Sequence, residues 1–592
     1  MRFNHIGRCL LRASGLLLCV PLWAEWISLG PFGGSASVVV ADPNSSRTFL
    51  AGTRSALLFR SSDSGESWMP IPFPAQLHAT LNVLAVDPET PGVYLAGLSS
   101  DLPQYSGLLR STDAGATWLQ VPSLRNQPVR AIAFKRAQSR IVAAGTDSGV
   151  FESKDGGINW SRISPLENAQ LRPVVSLTFD PKDSDTLYAG TPHLPWKTSD
   201  GGTSWESIHT GMLDDSDVFS IQVDRNRPQR VFASACSGIY RSVNGAGTWT
   251  RQIQAKNASD RTYFITQDPQ YENVWFAGST HGIVRSTDGG TTWQRLAAFT
   301  TRSIAFDPGR LGRILIATDE AGILRSEDSG KSWQPANNGF CNRRLSPLWA
   351  DSRSAYTDLL DGAQAGTVVQ LSANLNGWFP TATTPSTAVP SVLFSPPWAP
   401  QKVLAKFEQG IYISEDTGRS WDTLDLPVDP AEISAFYALE NPWIAAVGPG
   451  GILLSKDGKV WKRCSRSPGE VYAIISTRDR SLLAATSSGL KASADMGASW
   501  HAVRGQLETE TVQAVCRRPF GKSLFAAKYG AIYTSTDDGR SWLKVSPDNW
   551  PVTSVRQLLV LPGMPDHLLV LTHQQGVWAL ELDKQALLFS DR

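Results

Sequence analysis

One eight-residue phrase, Ser-x-Asp-x-Gly-x-Ser/Thr-Trp, recurs along this chain and restricts its fold more than any other feature. Nine copies keep the pattern. Three are altered: SVNGAGTW from Ser242, SANLNGW from Ser372 and SKDGKVW from Ser455. The residues at the third position follow one another at intervals of 38 to 50 residues: Asp63, Asp113, Asp155, Asp200, Asn244, Asp288, Asp328, Asn374, Asp416, Asp457, Asp495 and Asp537. A repeat of this length built from short strands is typical of β-propeller blades.

Each residue type in the phrase suits a tight turn between two strands. An Asp side chain accepts hydrogen bonds from backbone N–H groups just ahead of it, and Ser or Thr hydroxyls add weaker bonds. Gly adopts the positive φ that such a turn needs. Twelve of the 21 Trp residues end a copy of the phrase, which indicates packing between repeats rather than twelve binding sites. The ten Asp residues of the phrase are therefore predicted to be structural.

The sequence around each phrase predicts four antiparallel strands per repeat. In LTFDPKDSDTLYAGT, for example, one β-rich run reaches the turn at Asp180 and a second run ends in Ala-Gly-Thr. A third strand leads into the phrase, and its Trp opens a fourth. No segment keeps a 3.6-residue apolar period, so helices are expected to be nearly absent.

Twelve repeats carry the phrase, and a thirteenth near the C-terminus lacks it. Rings usually hold four to eight blades, so thirteen repeats predict tandem propellers of seven and six or seven blades. The expected domains are a signal peptide at 1–24, a first propeller at 25–338 and a second at 339–592. The segment from Trp26 resembles the strand that a phrase Trp opens, and it could supply the missing outer strand of a blade begun at the far end of its propeller. One ring of ten or more blades is the alternative.

The N-terminal segment has the features of a secretory signal. Arg2, Arg8 and Arg12 precede an apolar core, and Ala24 offers a cleavage site, so the protein is expected to be secreted or periplasmic. No later segment is long and apolar enough to be predicted as a transmembrane helix. Lys and Arg number 55 against 54 Asp and Glu with no basic run, which argues against a nucleic-acid partner.

The cysteines indicate neither a metal site nor a disulfide framework. The four that follow the signal are not at metal-ligand spacing: Cys236, Cys341, Cys464 and Cys516. Cys464 and Cys516 could meet across adjacent blades. The sequence suggests no cofactor, since no phosphate loop, zinc motif or nucleophile elbow occurs.

The phrase resembles the Asp-box, or BNR repeat, of sialidases, sortilin-type receptors, photosystem II assembly factors and xyloglucan-cleaving endoglucanases. In those families the box lies at the blade periphery and is structural. The two-propeller layout is most similar to that of the endoglucanases, in which a polysaccharide lies in the cleft between the rings.

The resemblance does not extend to the endoglucanase catalytic carboxylates. The family's base lies in a first-blade phrase like Ala-Arg-Thr-Asp-x-Gly-Gly, but here Arg54 stands where the Asp is expected. The family's acid precedes a Ser-Pro-Pro turn, and here Val392 stands in its place. The N-terminal Arg-Ile-Pro phrase of sialidases is also missing. Hydrolysis of this kind needs two carboxylates across the scissile bond.

Two sets of loop residues remain as candidates. Carboxylates in loops equivalent to the catalytic one are weak catalytic candidates: Asp147, Asp319, Glu320 and Glu408. Polar and aromatic residues expected near the same face are candidates for ligand binding: Arg54, Asp101, His193, Trp196 and His281, with Tyr105 beside them.

These features predict an exported, non-catalytic double propeller that binds a glycan or an envelope or extracellular protein. Binding is expected on loops of a propeller face or in the cleft between the rings. The alternatives are a diverged glycoside hydrolase and, less specifically, a cell-envelope scaffold.

Overall fold

The computed structural model describes residues 26–582 except 75–77, 214–216, 256, 258, 351–353, 362–366, 373, 376, 381–390, 520, 549 and 562. Thirteen four-stranded antiparallel sheets, numbered here as blades 1 to 13, make up nearly all of it. The described part contains no α-helix, and its short 3-10 helices are Pro103–Tyr105, Pro122–Leu124 and Pro430–Glu432. None of the described elements is a helix of the length and apolarity that crossing a membrane requires. The expected signal peptide lies outside the described residues.

Seven blades follow one another in the first half, each running from its innermost to its outermost strand. They are blade 1 (Val38–Ala41, Phe49–Gly52, Leu58–Ser61, Met69–Ile71), blade 2 (Thr80–Val86, Tyr94–Ser99, Gly107–Ser111, Leu119–Gln120), blade 3 (Val129–Phe134, Val142–Thr146, Gly149–Ser153, Ser161–Arg162), blade 4 (Ser176–Phe179, Leu187–Gly190, Pro195–Thr198, Glu206–Ser207), blade 5 (Val218–Val223, Val231–Ala235, Gly238–Ser242, Thr250–Gln254), blade 6 (Thr262–Gln267, Trp275–Ser279, Gly282–Ser286, Gln294–Ala297) and blade 7 (Thr301–Phe306, Ile314–Thr318, Gly322–Ser326, Gln334–Pro335).

Six blades form the second half. They are blade 8 (Trp349–Ala350, Ala355–Asp358, Val368–Leu371, Trp378–Pro380), blade 9 (Val392–Phe394, Val403–Phe407, Gly410–Ser414, Asp422–Thr423), blade 10 (Ala435–Ala438, Ile444–Gly448, Gly451–Ser455, Lys462–Arg463), blade 11 (Val471–Ser476, Leu482–Thr486, Gly489–Ser493, His501–Ala502), blade 12 (Val512–Arg517, Leu524–Lys528, Ala531–Ser535, Leu543–Lys544) and blade 13 (Val555–Leu561, Met564–Thr572, Val577–Glu581 and, outermost, Trp26–Gly30).

The recurring Ala-Gly-Thr sequence reflects close packing of adjacent blades. In blade 3 the second strand, Val142–Thr146, is buried along its whole length. A Cβ on Gly145 would lie 2.7 Å from the carbonyl oxygen of Val174, at the entrance to blade 4. Small residues are therefore needed where the second strand meets the next blade.

The first ring closes between blades 7 and 1. The hydroxyl of Ser303 donates to the carbonyl oxygen of Val39 at 3.1 Å, and the amide of Val39 donates to that hydroxyl at 3.3 Å. The innermost strands of the two blades are thus neighbours, and the seven blades complete a circle. The expectation of tandem propellers is confirmed, and the alternative of one ring of ten or more blades is wrong.

The N-terminal strand completes the last blade of the second ring. Trp26–Gly30 pairs antiparallel with Val577–Glu581, as the outer fourth strand. Blade 13 also contacts blade 8, since the side chain of Gln557 accepts from the amide of Leu348 at 2.7 Å. Residues 26–30 therefore lie in the second ring, whereas the expected domain boundary at residue 25 placed them in the first.

Two short segments run side by side between the rings. Gly33–Gly34 pairs in parallel with Cys341–Asn342, and the amide of Arg343 donates to the carbonyl oxygen of Gln574 at 2.8 Å. All four cysteines that follow the expected signal segment are free, so Cys464 and Cys516 form no disulfide here.

Candidate functional site

Each blade has two ends with different roles. The Asp-box joins the third and fourth strands at the same end as the turn between the first and second strands. Their backbones are hydrogen-bonded, for instance from Gly289 to the carbonyl oxygen of Asn273 at 2.9 Å. This end is called the box face. The opposite end, with the turns between second and third strands and the connections between blades, is called the loop face.

The box carboxylates are saturated by their own turns. In blade 6, Asp288 accepts from the amides of Thr291 and Thr292 at 3.0 and 2.9 Å, and from the Thr292 hydroxyl at 2.6 Å. The hydroxyl of Ser286 donates to Asp288 at 2.8 Å and accepts from the amide of Gly290 at 2.8 Å. A carboxylate held by so many donors is stabilised in its charged form. These bonds, the side-chain bond from Thr292 foremost, lower the pKa of Asp288.

The same arrangement recurs along the chain. Side-chain and backbone donors of the turn lower the box carboxyl to a pKa of about 2 in five blades, at Asp113, Asp155, Asp200, Asp416 and Asp495. Direct hydrogen bonds from the turn also reach the box carboxylates Asp63, Asp328, Asp457 and Asp537. A carboxylate with such a low pKa is a poor proton donor near neutral pH.

A cavity of about 850 Å³ opens at the loop-face end of the first ring, around its axis. This cavity, called the hub, is lined by Arg54, Asn82, Arg130, Val175, Phe219, Ser259, Arg261, Tyr263 and Arg302. Five of these residues occupy the same register position. Asn82, Arg130, Phe219, Tyr263 and Arg302 each lie at a β-bulge near the start of an innermost strand. A bulge changes the direction of the extra side chain, so five of the seven blades each direct one residue of this position toward the axis.

Two hub arginines are paired with predicted catalytic candidates. Arg302 donates to Asp319 from Nε at 2.9 Å and stacks on the ring of Tyr263, with its guanidinium carbon 3.9 Å from the centroid. Burial disfavours the charged guanidinium, but the hydrogen bond and the charge of Asp319 outweigh it and raise the pKa of Arg302. Arg130 and Asp147 form the equivalent pair in blade 3. Neither carboxylate is a free acid or base.

The other two carboxylate candidates lie apart from these pairs. Glu320 follows Asp319 in the same turn, and its Oε2 is buried without a hydrogen-bond partner among the described residues. Glu408 is exposed on the loop face of blade 9, in the second ring. The structure therefore places three candidates around the first ring and one in the second.

The ligand-binding candidates also separate. Arg54 lines the hub. Asp101 is exposed in the loop before Pro103–Tyr105, and His193 is exposed in blade 4. His281 lies 3.5 Å from Asp260, nitrogen to oxygen. Trp196 is only 8% exposed and packs in the core between blades 3 and 4, so its ring is not available for stacking on a ligand.

Aromatic side chains from both rings meet at the loop faces. Tyr105 of blade 2 stacks on His78, with ring centroids 4.7 Å apart and planes 13° apart. The ring of Tyr529, from the second-to-third-strand turn of blade 12, lies 6.3 Å from His78. Tyr529 is 51% exposed. His78, Tyr105 and Tyr529 are called the aromatic bridge, and they bring the loop faces of the two rings together.

The sequence interpretation missed most of the hub and two of the three bridge residues. Arg130, Arg261 and Arg302 look like ordinary strand-edge residues, although Val129-Arg130 and Thr301-Arg302 share one position in the repeat. The recurrence of arginine at this position of the repeat was the one sequence signal that could have indicated the hub. His78 and Tyr529 lie in loops of different repeats, so no spacing indicates their contact. Among the described residues no group of three or more His, Cys, Asp or Glu side chains is arranged to hold a metal ion.

Comparisons with known proteins support this architecture. Residues 124–271 match a family of the BNR type that is described as photosynthesis system II assembly factor YCF48. A GH74 enzyme from Niastella koreensis superposes with a TM-score of 0.71 at 17% identity, covering 95% of this chain and 99% of the enzyme. A GH74 xyloglucanase from Xanthomonas campestris gives a TM-score of 0.67 at 16% identity, covering 94% and 100%. The chain is an Asp-box, or BNR-repeat, β-propeller protein.

Two curated relatives of this Asp-box protein are named xyloglucanases. One, from a Paenibacillus species, is 23% identical over 42% of this chain and 30% of its own length. Xgh74A of Acetivibrio thermocellus is 25% identical over 40% of this chain and 28% of its own length. The chain thus spans less than a third of these relatives, and the likeness establishes the fold of the Asp-box protein rather than its activity.

Proposed function

We propose that this Asp-box protein is exported and binds a polysaccharide between its two rings without hydrolysing it. The observation that carries the proposal is the aromatic bridge, in which a stacked His78–Tyr105 pair of one ring meets exposed Tyr529 of the other. Aromatic rings present flat apolar faces with a polar tip, which suits sugar rings that have both apolar faces and hydroxyl edges. The names of the curated relatives support a glycan as the ligand class.

The carboxylate arrangement argues against hydrolysis. Glycoside hydrolysis needs one carboxylic acid and one carboxylate on either side of the bond. Asp147 and Asp319 each accept hydrogen bonds from an arginine, Arg130 and Arg302, so both carboxylates are already bound within the protein. Arg54 cannot act as a base at ordinary pH, and Val392 begins a strand with a buried apolar side chain. The repeat carboxylates are saturated within their turns.

A diverged glycoside hydrolase is a second candidate because of one observation. The Oε2 of Glu320 is buried and has no hydrogen-bond partner among the described residues, so this oxygen is not already bound by a neighbouring side chain. Glu320→Gln removes the acid and keeps the shape. Loss of product formation in this variant, with binding unchanged, would assign catalysis to Glu320.

The test is a set of soluble polysaccharides scored for both retention and cleavage. We expect retention without new reducing ends, and weaker retention by Tyr529→Ala. Tyr271→Ala is the matched control, since Tyr271 is 48% exposed on the box face of the first ring. Released oligosaccharides would overturn the non-catalytic proposal. Absence of both retention and cleavage would favour an envelope or extracellular protein as the partner.

Export is tested separately, by comparing the location of the full chain with that of a chain lacking residues 1–24. We expect the full chain outside the cytoplasm and the shortened chain within it.

A further inference from the structure

The hub of the first ring has more arginines than direct ion-pair partners for them. Four guanidinium groups line it, from Arg54, Arg130, Arg261 and Arg302. Asp147 and Asp319 pair with Arg130 and Arg302. Among the described residues no carboxylate lies within ion-pair distance of Arg54 or Arg261, and the carboxylate of Asp260, next in sequence to Arg261, lies 3.5 Å from an imidazole nitrogen of His281. Arg54 and Arg261 therefore line the cavity without a direct ion-pair partner among the described residues.

The surrounding contacts hold two of these guanidinium groups in place. Arg302 lies between Asp319 and the ring of Tyr263, and its side chain is only 16% exposed. The guanidinium carbon of Arg261 lies 5.5 Å from the centroid of Phe219. Stacked guanidinium groups lose little further freedom when they bind a ligand, so this arrangement is preorganised.

We propose that the hub binds a carboxylate-bearing sugar, namely a uronic acid residue of an acidic polysaccharide. This inference rests on the proposed function, because it takes the ligand to be a glycan. A planar carboxylate matches the guanidinium fork, as the pairing of Asp319 with the hub residue Arg302 shows. Asn82, Ser259 and Tyr263 add neutral polar groups for sugar hydroxyls. The volume of about 850 Å³ lies in the range of small-ligand cavities.

The charge of the ligand can be changed without changing its sugars. The probes are an oligogalacturonate and the same oligosaccharide with its carboxyl groups methyl-esterified, with binding to the full chain measured by calorimetry at low and high salt. We expect the acid form to bind, the ester to bind about tenfold or more weakly, and the difference to shrink at high salt.

Protein variants test the same point from the other side. Arg54→Gln and Arg261→Gln are each expected to weaken binding of the acid form by about tenfold. Arg47→Gln is the matched control, since Arg47 precedes the strand Phe49–Gly52 at the box face while Arg54 follows it at the loop face. Circular dichroism and the melting temperature establish that each variant is folded.

The outcomes separate the two proposals. Equal binding of acid and ester, unaffected by Arg54→Gln and Arg261→Gln, would overturn the uronic acid site and leave glycan binding intact. Binding of neither oligosaccharide, together with Arg54-dependent binding of a poly-glutamate peptide, would overturn the uronic acid ligand in favour of an acidic protein. Retention of neutral polysaccharides with no response to the acid form would also count against the hub site.

Discussion

The indole N–H of Trp68 donates a 2.8 Å hydrogen bond to the carbonyl oxygen of Ala336, which lies 268 residues further along the chain. Most other box tryptophans whose bonds are described donate within their own turn, as Trp118 does to Gly115 at 3.1 Å and Trp160 to Gly157 at 3.0 Å. Trp68 is 1% exposed and packs against Phe59 and Phe340. The hydrogen bond from Trp68 joins blade 1 to the segment that follows the last strand of blade 7, where the first ring closes.

Replacing Trp68 is therefore expected to destabilise the protein more than replacing a tryptophan whose bond is local. Trp68→Phe leaves the Ala336 carbonyl without its donor and leaves space in a buried cluster, and should lower the free energy of unfolding by about 2 to 4 kcal/mol. Trp293→Phe is the control, because Trp293 donates to Gly290 of its own box and is only partly buried. Urea unfolding compares the two. Equal losses would show that ring closure does not depend on this bond.

Stability should fall in acid through the box carboxylates. Their pKa in the folded protein, about 2 at Asp200 and Asp495, lies below the value of about 3.9 for an unfolded Asp. A group with a lowered folded pKa stabilises the fold above its unfolded pKa and ceases to do so as the pH falls through its folded pKa. We therefore expect a steep drop in melting temperature between about pH 4 and pH 2.

A charge-removing variant isolates the contribution of one box. Asp200→Asn keeps an acceptor oxygen but loses the charge, so it should be less stable than the parent at pH 7 and converge with it near pH 2. The chain already carries such an asparagine at Asn244, which accepts from the amide of Thr248 at 2.9 Å. Asp422→Asn changes an exposed carboxylate outside the boxes, so the stability of this variant should change with pH in the same way as that of the parent. A difference in stability between Asp200→Asn and the parent that stays constant at all pH values would contradict this explanation.

The segment between the rings depends on a glycine. Gly34 has φ +101°, and a Cβ there would lie 1.9 Å from the carbonyl oxygen of Asn342. Gly34→Ala should separate the paired segments, lower the free energy of unfolding by at least about 2 kcal/mol and increase proteolysis between the rings. Gly156→Ala is the control for backbone strain alone, with φ +77° and no atom within 4 Å of the added Cβ. Similar losses in both variants would show that strain, not the contact, decides the effect.

The sequence predicted the fold well because its signals are local and repeated. The described turns with Asp at the third position of the box are closed by residues two to four positions apart, as between Ser286 and Gly290, so the phrase itself specifies the turn. The strand at Trp26–Gly30 was also anticipated, because its sequence resembles the fourth strand of a repeat. This strand pairs with Val577–Glu581 near the C-terminus. The expected boundary at residue 25 put it in the first propeller because that prediction assigned strands to propellers in their order along the chain.

The site was less predictable because it depends on positions that do not stand out within one repeat. Trp196 has a large flat ring of the kind on which a sugar could stack. Its ring instead packs in the core between blades 3 and 4, because the alternation of side chains along the strand turns it inward. Arg130 and Arg302 reach the hub through bulges that the repeat does not signal by residue type. The contact between His78 and Tyr529 joins two rings and depends on their docking.

Removing the carboxylate that pairs with Arg302 of the hub should strengthen binding of an acidic oligosaccharide. Asp319→Asn leaves the guanidinium of Arg302 without its charge partner, so the hub gains a net positive charge and the affinity for oligogalacturonate should rise by about fivefold at low salt. Stability should fall at the same time, because a partly buried ion pair has lost one member. Asp328→Asn, in the box of the same blade at the opposite face, controls for the loss of stability without a change in the hub. Calorimetry at two salt concentrations gives the affinity. An Asp319→Asn protein that is folded but binds the acid form no better than Asp328→Asn would show that Arg302 does not face the ligand.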